Sequence, residues 1–192
     1  NTMYKINHST NRINKLRQVG FSELGFSERN HLQEWLANQP DALGEELLII
    51  QNWHQNLEAL EQAKVGLYSN VGPSKENWLN AGSGLGGVHC AMIFNRDEVR
   101  VNFVLGRASK EQNKALFDLL FAQADSLNHA FGAPLSWRRM DDKKVSIIEY
   151  NQCFDGHNRE SWPAMIAWLV AHIQRLEAAF DAQIPNLRTA LR

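Results

Sequence analysis

The feature that most constrains this chain is a pair of apolar runs in its middle. Val88 to Phe94 and Val99 to Leu105 are joined by the polar Asn95-Arg96-Asp97-Glu98. The second run alternates, with Val99, Val101, Phe103 and Leu105 on one face and Arg100, Asn102 and Val104 on the other. This pattern predicts an antiparallel hairpin with one buried face and one largely wet face.

The next stretch of chain repeats the arrangement. Ser109 is a good N-cap and Glu111 lies in the first turn, and Leu116, Leu119, Leu120, Leu127 and Phe131 then mark one long amphipathic helix. Gly132 and Pro134 stop it. Leu135 to Met140 and Lys143 to Tyr150 predict a second hairpin around Asp141-Asp142. Glu160 to Phe180 predicts a final helix beginning near Pro163, with Trp162, Ile166, Leu169, Ile173, Leu176 and Phe180 as its core stripe. Upstream, Trp53, Leu57, Leu60 and Lys64 keep a helical period that Gly66 and Gly72-Pro73 interrupt. The order after residue 53 is then α-β-β-α-β-β-α: an α+β module, residues 53–192, with an antiparallel sheet and helices on one face.

Residues 1–50 predict a mostly helical arm. Met3, Tyr4 and Ile6 suit a short strand, and Ile13, Leu16 and Val19 a short amphipathic segment. Ser27 and Glu28 open a helix whose face carries Leu32, Trp35 and Leu36 and which Pro40 closes. Glu45 to Ile50 is an apolar run too short to assign between a strand and a buried helix end. The apolar face of the arm needs a cover, so a protein partner or a homodimer is one expectation.

Composition removes several classes of function. The formal net charge of -1 gives no global attraction to nucleic acid or membrane. No stretch approaches the roughly 18 consecutive apolar residues of a membrane helix. The polar N-terminus carries no secretory leader, so a cytoplasmic protein is expected. Cys90 and Cys153 lie far apart, without metal-ligand spacing, and Cys90 sits in an apolar run as a small hydrophobe. The seven histidines include no pair at the i, i+4 spacing of a helical metal site. His89 and Cys90 are adjacent on a strand and therefore point to opposite faces, which excludes a nucleophile pair. No cofactor and no catalytic set is expected.

Two binding features remain. Ala81-Gly82-Ser83-Gly84-Leu85-Gly86-Gly87 is the most flexible segment. It matches neither phosphate-loop pattern and precedes a strand, yet Gly82, Ser83, Gly84 and Gly87 could form a backbone nest for an anion or nucleotide. Basic residues cluster nearby. Arg100, Arg107, Lys110, Lys114, Arg138, Arg139 and Lys143, with Trp137 for stacking, form a candidate nucleic-acid surface. Asp97, Glu98, Glu111, Asp118, Asp141 and Asp142 are interspersed with them.

The chain also resembles a known family. Asn77-Trp78-Leu79, Gly82-Ser83-Gly84, Asn113-Lys114, Phe117-Asp118, Phe131-Gly132 through Trp137, and Asp141-Asp142-Lys143-Lys144 resemble the domain of unknown function 4268. That module forms the C-terminal part of bacterial restriction-endonuclease-like proteins, and residues 21–50 resemble the opening of the same proteins. The resemblance implies a nuclease-associated context, a role in defence against foreign DNA and contact with nucleic acid. It also exposes a departure. Ile50-Gln51-Asn52 runs directly into the module, and no Glu-x-Lys pair on an apolar strand is present to hold a divalent metal. The expectation is a non-catalytic accessory module that recognises nucleic acid.

Overall fold

The computed structural model describes residues 4–7, 11–15, 45–156 and 158–191. The chain divides into two compact units, Asn1–Gly44 and Glu45–Arg192. In the first, β1 (Tyr4–Asn7) pairs antiparallel with β2 (Arg12–Lys15), placing Ile6 opposite Ile13. Asn11 between them takes a positive φ of 50°. The helix expected after Ser27 lies outside the described residues.

The second unit opens with α1 (Glu45–Gln62), so the ambiguous run Glu45–Ile50 is the start of a helix. Trp53 and Leu60 are fully buried on it, whereas Lys64 has left the helix and takes a φ of 59°. A 3-10 turn, Gly66–Tyr68, then leads to β3 (Trp78–Gly82), a strand the sequence did not suggest. The remaining elements are β4 (Val88–Phe94), β5 (Glu98–Leu105), α2 (Lys110–Phe121), α3 (Ala124–Phe131), β6 (Ser136–Arg138), β7 (Ser146–Cys153), α4 (Trp162–Asp181) and α5 (Ile184–Thr189). The sheet is antiparallel throughout, with strand order β3-β4-β5-β7-β6. The fold class is therefore α+β, and β3 adds an edge strand to the expected order.

Register fixes which side chains meet the helices. Cys90 pairs with Phe103, which pairs with Ile148, and Met92 pairs with Val101, which pairs with Tyr150. This row faces α4: Phe103 stacks on Phe180 at 4.4 Å, and Tyr150 stacks on Trp168 at 5.7 Å. Trp53, Phe94 and Trp162 continue the layer edge to face at 6.4 and 6.1 Å. The aromatic pairs contribute roughly 0.5–1.5 kcal/mol each beyond burial of their area. The inward half of β5 (Val99, Val101, Phe103, Leu105) is at most 1% exposed, as its alternation predicts.

Local signals set the ends. Ser109 caps α2, its Oγ accepting from the Gln112 N–H at 3.2 Å. The expected long helix is in fact α2 and α3, broken at Ala122-Gln123, and Gly132 closes α3 at a φ of 88°. Pro163 lies in the first turn of α4, as expected. At Gly87 (φ 78°) a Cβ would come 2.7 Å from the Arg107 Cα, so the β3–β4 turn can pass the backbone just after β5 only with glycine there.

Candidate nucleic-acid interface

The face of the sheet opposite the helices is built by the alternate residues. One row runs Trp78, Ile93, Arg100, Asn151; the next runs Asn80, Ala91, Asn102, Glu149, Ser136; a third runs Gly82, His89, Val104, Ile147, Arg138. Among the described residues, the core aromatic contacts all lie on the other side of the sheet. Trp78 is 45% exposed, a large apolar ring at the sheet edge. Ile93, Val104 and Ile147 are half-buried. Asn102, in the centre, is 4% exposed, and its Oδ1 accepts no hydrogen bond.

Charge on this face is internally balanced. Glu149 receives Arg138 at 3.0 Å and Arg100 at 3.4 Å, bridging the two arginines from the strand between them. Arg100 Nε also lies 2.9 Å from Glu98 Oε1, an ion pair without hydrogen-bond alignment. Burial holds the His89 pKa below its ordinary value, so it is neutral at pH 7.

The structure thus unites two of the expected site residues, Arg100 and Arg138, and separates the others from them. Trp137 pairs with Ile148 and points to the helix side, where it packs edge-on against Phe117 and Phe121 and donates from Nε1 to Asn128 Oδ1 at 3.2 Å. It therefore cannot stack a ligand beside Arg138. Lys114 is 7% exposed, and its ammonium reaches the carbonyls of Arg139, Met140 and Val145 and the Ser146 hydroxyl. Its three donors are consumed inside the protein, so it is a clamp on the β6–β7 turn rather than a phosphate contact. Burial first, and then neighbouring Arg139, lowers its pKa. Arg139 grips Asp118 through two hydrogen bonds of 2.8 and 3.0 Å and also contacts Asp141. Arg107 donates to the Gly86 carbonyl and to Gln112 Oε1. Lys110 and Lys143 are exposed at the same end of the sheet, beyond the strands.

In the glycine loop the N–H groups of Ser83 and Leu85 are taken up by the turn itself. Gly82 ends β3, the Ser83 N–H donates to Val88, the Val88 N–H to Leu85, and the Leu85 N–H to Ser83 Oγ. Its outward groups include carbonyls, with Gly84 accepting from Arg188 and Gly86 from Arg107. Gly87 is required by the approach to Arg107. Of the residues the sequence left out, Asn102 and Glu149 could have been found by extending the alternation of β5 across the register. Trp78 could not, because β3 carries little apolar signal of its own.

Among the described residues no group of three His, Cys, Asp or Glu is placed to hold a metal, and no helix is long and apolar enough to cross a membrane. What the fold and the face define is a small α+β module in which the described helices all pack on one surface of the sheet. Residues 50–184 match the family model described as Domain of unknown function (DUF4268), and the chain belongs to that family. No curated protein and no solved structure matches the chain.

Proposed function

We propose that this module recognises an unpaired nucleic-acid strand on the face of its sheet opposite the described helices, as an accessory to nuclease-type proteins. The observation that carries the reading is Trp78, an exposed indole on the same face as Arg100, Arg138 and the amides of Asn80 and Asn102. A base stacked on an aromatic ring contributes about 1–3 kcal/mol, whatever its sequence. The exposed amide of Asn80, on the same face, supplies both a donor and an acceptor for a base edge.

The test is fluorescence anisotropy with labelled single-stranded oligonucleotides at low salt. Trp78→Ala removes an exposed side chain and leaves the fold intact, and it should weaken binding about tenfold, the equivalent of about 1.4 kcal/mol. Unchanged affinity in this variant would remove the sheet face as the binding surface.

A further inference from the structure

The five-stranded sheet ends on one side at β3 and on the other at β6. Backbone groups on the outer side of an edge strand have no ladder partner, so a fold either protects such an edge or uses it. β6 is protected: it has three residues, begins two positions after Pro134 and carries Arg138. β3 has none of these devices. Trp78–Gly82 is five residues without charge or proline, paired residue for residue with β4 and free of any bulge.

The ladder fixes which groups of β3 face outward. The Phe94 N–H donates to the Asn77 carbonyl at 2.8 Å, and the Ser83 N–H to the Val88 carbonyl at 3.3 Å. In an antiparallel pair the bonded residues recur at every second position, so Asn77, Leu79, Ala81 and Ser83 are the ones that bond β4. The N–H and C=O groups of Trp78, Asn80 and Gly82 therefore point away from the sheet. Among the described residues no hydrogen bond reaches them, and all three residues are exposed.

The side chains of these three residues decide what can pair there. A second β3, running antiparallel about a twofold axis at Asn80, sets Trp78 opposite Gly82 of the other copy. Asn80 then meets its own equivalent, and each opposed pair exchanges two backbone hydrogen bonds. Gly82 has open space where a Cβ would stand, with no atom within 4 Å, and Trp78 is 45% exposed. The bulky indole thus lies across the one residue of the strand without a side chain, an arrangement in which an aromatic ring covers an edge glycine. The two Asn80 amides each bring a donor and an acceptor to the axis. A slip of two residues would set the indole against an asparagine and leave one glycine unopposed, so the match selects a single register. A net charge of -1 adds little repulsion between copies.

We propose that β3 pairs edge to edge with β3 of a second copy of this chain, joining the two sheets about a twofold axis. Pairing consumes both exposed β3 edges, so assembly stops at two chains. The contact is small, so monomer and dimer should exchange, with a Kd on the order of 10 µM. The inference does not rest on nucleic-acid recognition, and its test contains no nucleic acid.

Sedimentation velocity of the full chain over about 1–200 µM provides the test, with monomer expected at the low end and dimer at the high end. Asn80→Pro removes an outward N–H that β4 does not use, at a position where an edge strand tolerates proline. It should weaken association at least about tenfold. Gly82→Lys fills the seat of the indole, while its Cβ meets nothing within the monomer, so it should weaken association by a similar factor without lowering the melting temperature. Ser136→Lys, exposed on the opposite edge, should leave association unchanged. A native chain that stays monomeric throughout, undiminished association in either β3 variant, or growth beyond two chains would each overturn the proposal.

Discussion

Two buried polar side chains show at the residue scale how differently the interior treats satisfied and orphaned groups. Lys114 has its ammonium within 2.9 Å of Met140 O and Ser146 Oγ and 2.7 Å of Val145 O, so a charge out of water is compensated by acceptors from one turn. Asn56 is 0% exposed on α1, and neither its Nδ2 nor its Oδ1 has a partner. Removing the first leaves several acceptors without a donor; removing the second eliminates two unmet groups. Lys114→Met should therefore cost about 3 kcal/mol, whereas Asn56→Leu should be neutral or stabilise by about 1 kcal/mol. Urea unfolding of both variants checks the opposite signs. Equal destabilisation by the two would refute the distinction. Lys114 also shows why a lysine cannot be assigned to a surface from charge alone: its helix position, between buried Asn113 and Leu116, already lies on the inward stripe.

The elements that were legible from sequence are those with a strong period. The inward residues expected on β5 and the apolar stripe expected on α4 are all buried, but Asn102, expected on the wet face of β5, is buried as well. β3 escaped because Leu79 and Ala81 are its inward residues and Ala81-Gly82 reads as loop; pairing with β4 makes it a strand. The same omission hid Trp78, and with it half of the candidate face. β6 was anticipated, but the side of the sheet it gives Trp137 depends on register with β7, which a run of three residues does not encode. On α4, His172 lies 4.1 Å from the Trp168 ring and 5.2 Å from Tyr150, and its Nδ1 is 2.8 Å from the Trp168 carbonyl. Burial lowers its pKa, the Trp168 carbonyl opposes this, and Arg175 adds to the lowering. A histidine with a folded pKa below its unfolded value contributes stability above about pH 6.5 and loses it as pH falls through the folded pKa. His89 acts in the same direction, and Glu177, raised by burial, in the opposite one. His172→Phe retains the stack and removes the titration, so its melting temperature should fall less than that of the native chain between pH 7 and pH 5. Calorimetric scans across that range decide it, and parallel curves would show that His172 is not the group responsible.

For the whole molecule, the balance of charge decides how a nucleic acid could be held. The net charge is -1, and on the face opposite the described helices Arg100 and Arg138 are already shared with Glu98 and Glu149. Duplex recognition by phosphate contact needs a basic stripe, and the residues that would have extended one are turned elsewhere: Lys114 inward, Arg139 onto Asp118, Arg107 onto Gly86. Stacking on Trp78 and amide contacts need unpaired bases instead. The module should therefore prefer single strands to duplex of the same length. Its salt dependence should also be shallow, because each phosphate neutralised on a single strand contributes a slope of about -0.7 and two arginines give at most about -1.4 (2 × 0.7). Anisotropy titrations at a series of salt concentrations measure that slope directly. A value near -1 that persists while Trp78→Ala reduces affinity is the signature of a stacking surface. A slope steeper than about -3, or tighter binding of duplex, would demand more phosphate contacts than Arg100 and Arg138 can make and would leave the face around Trp78 without a nucleic-acid role.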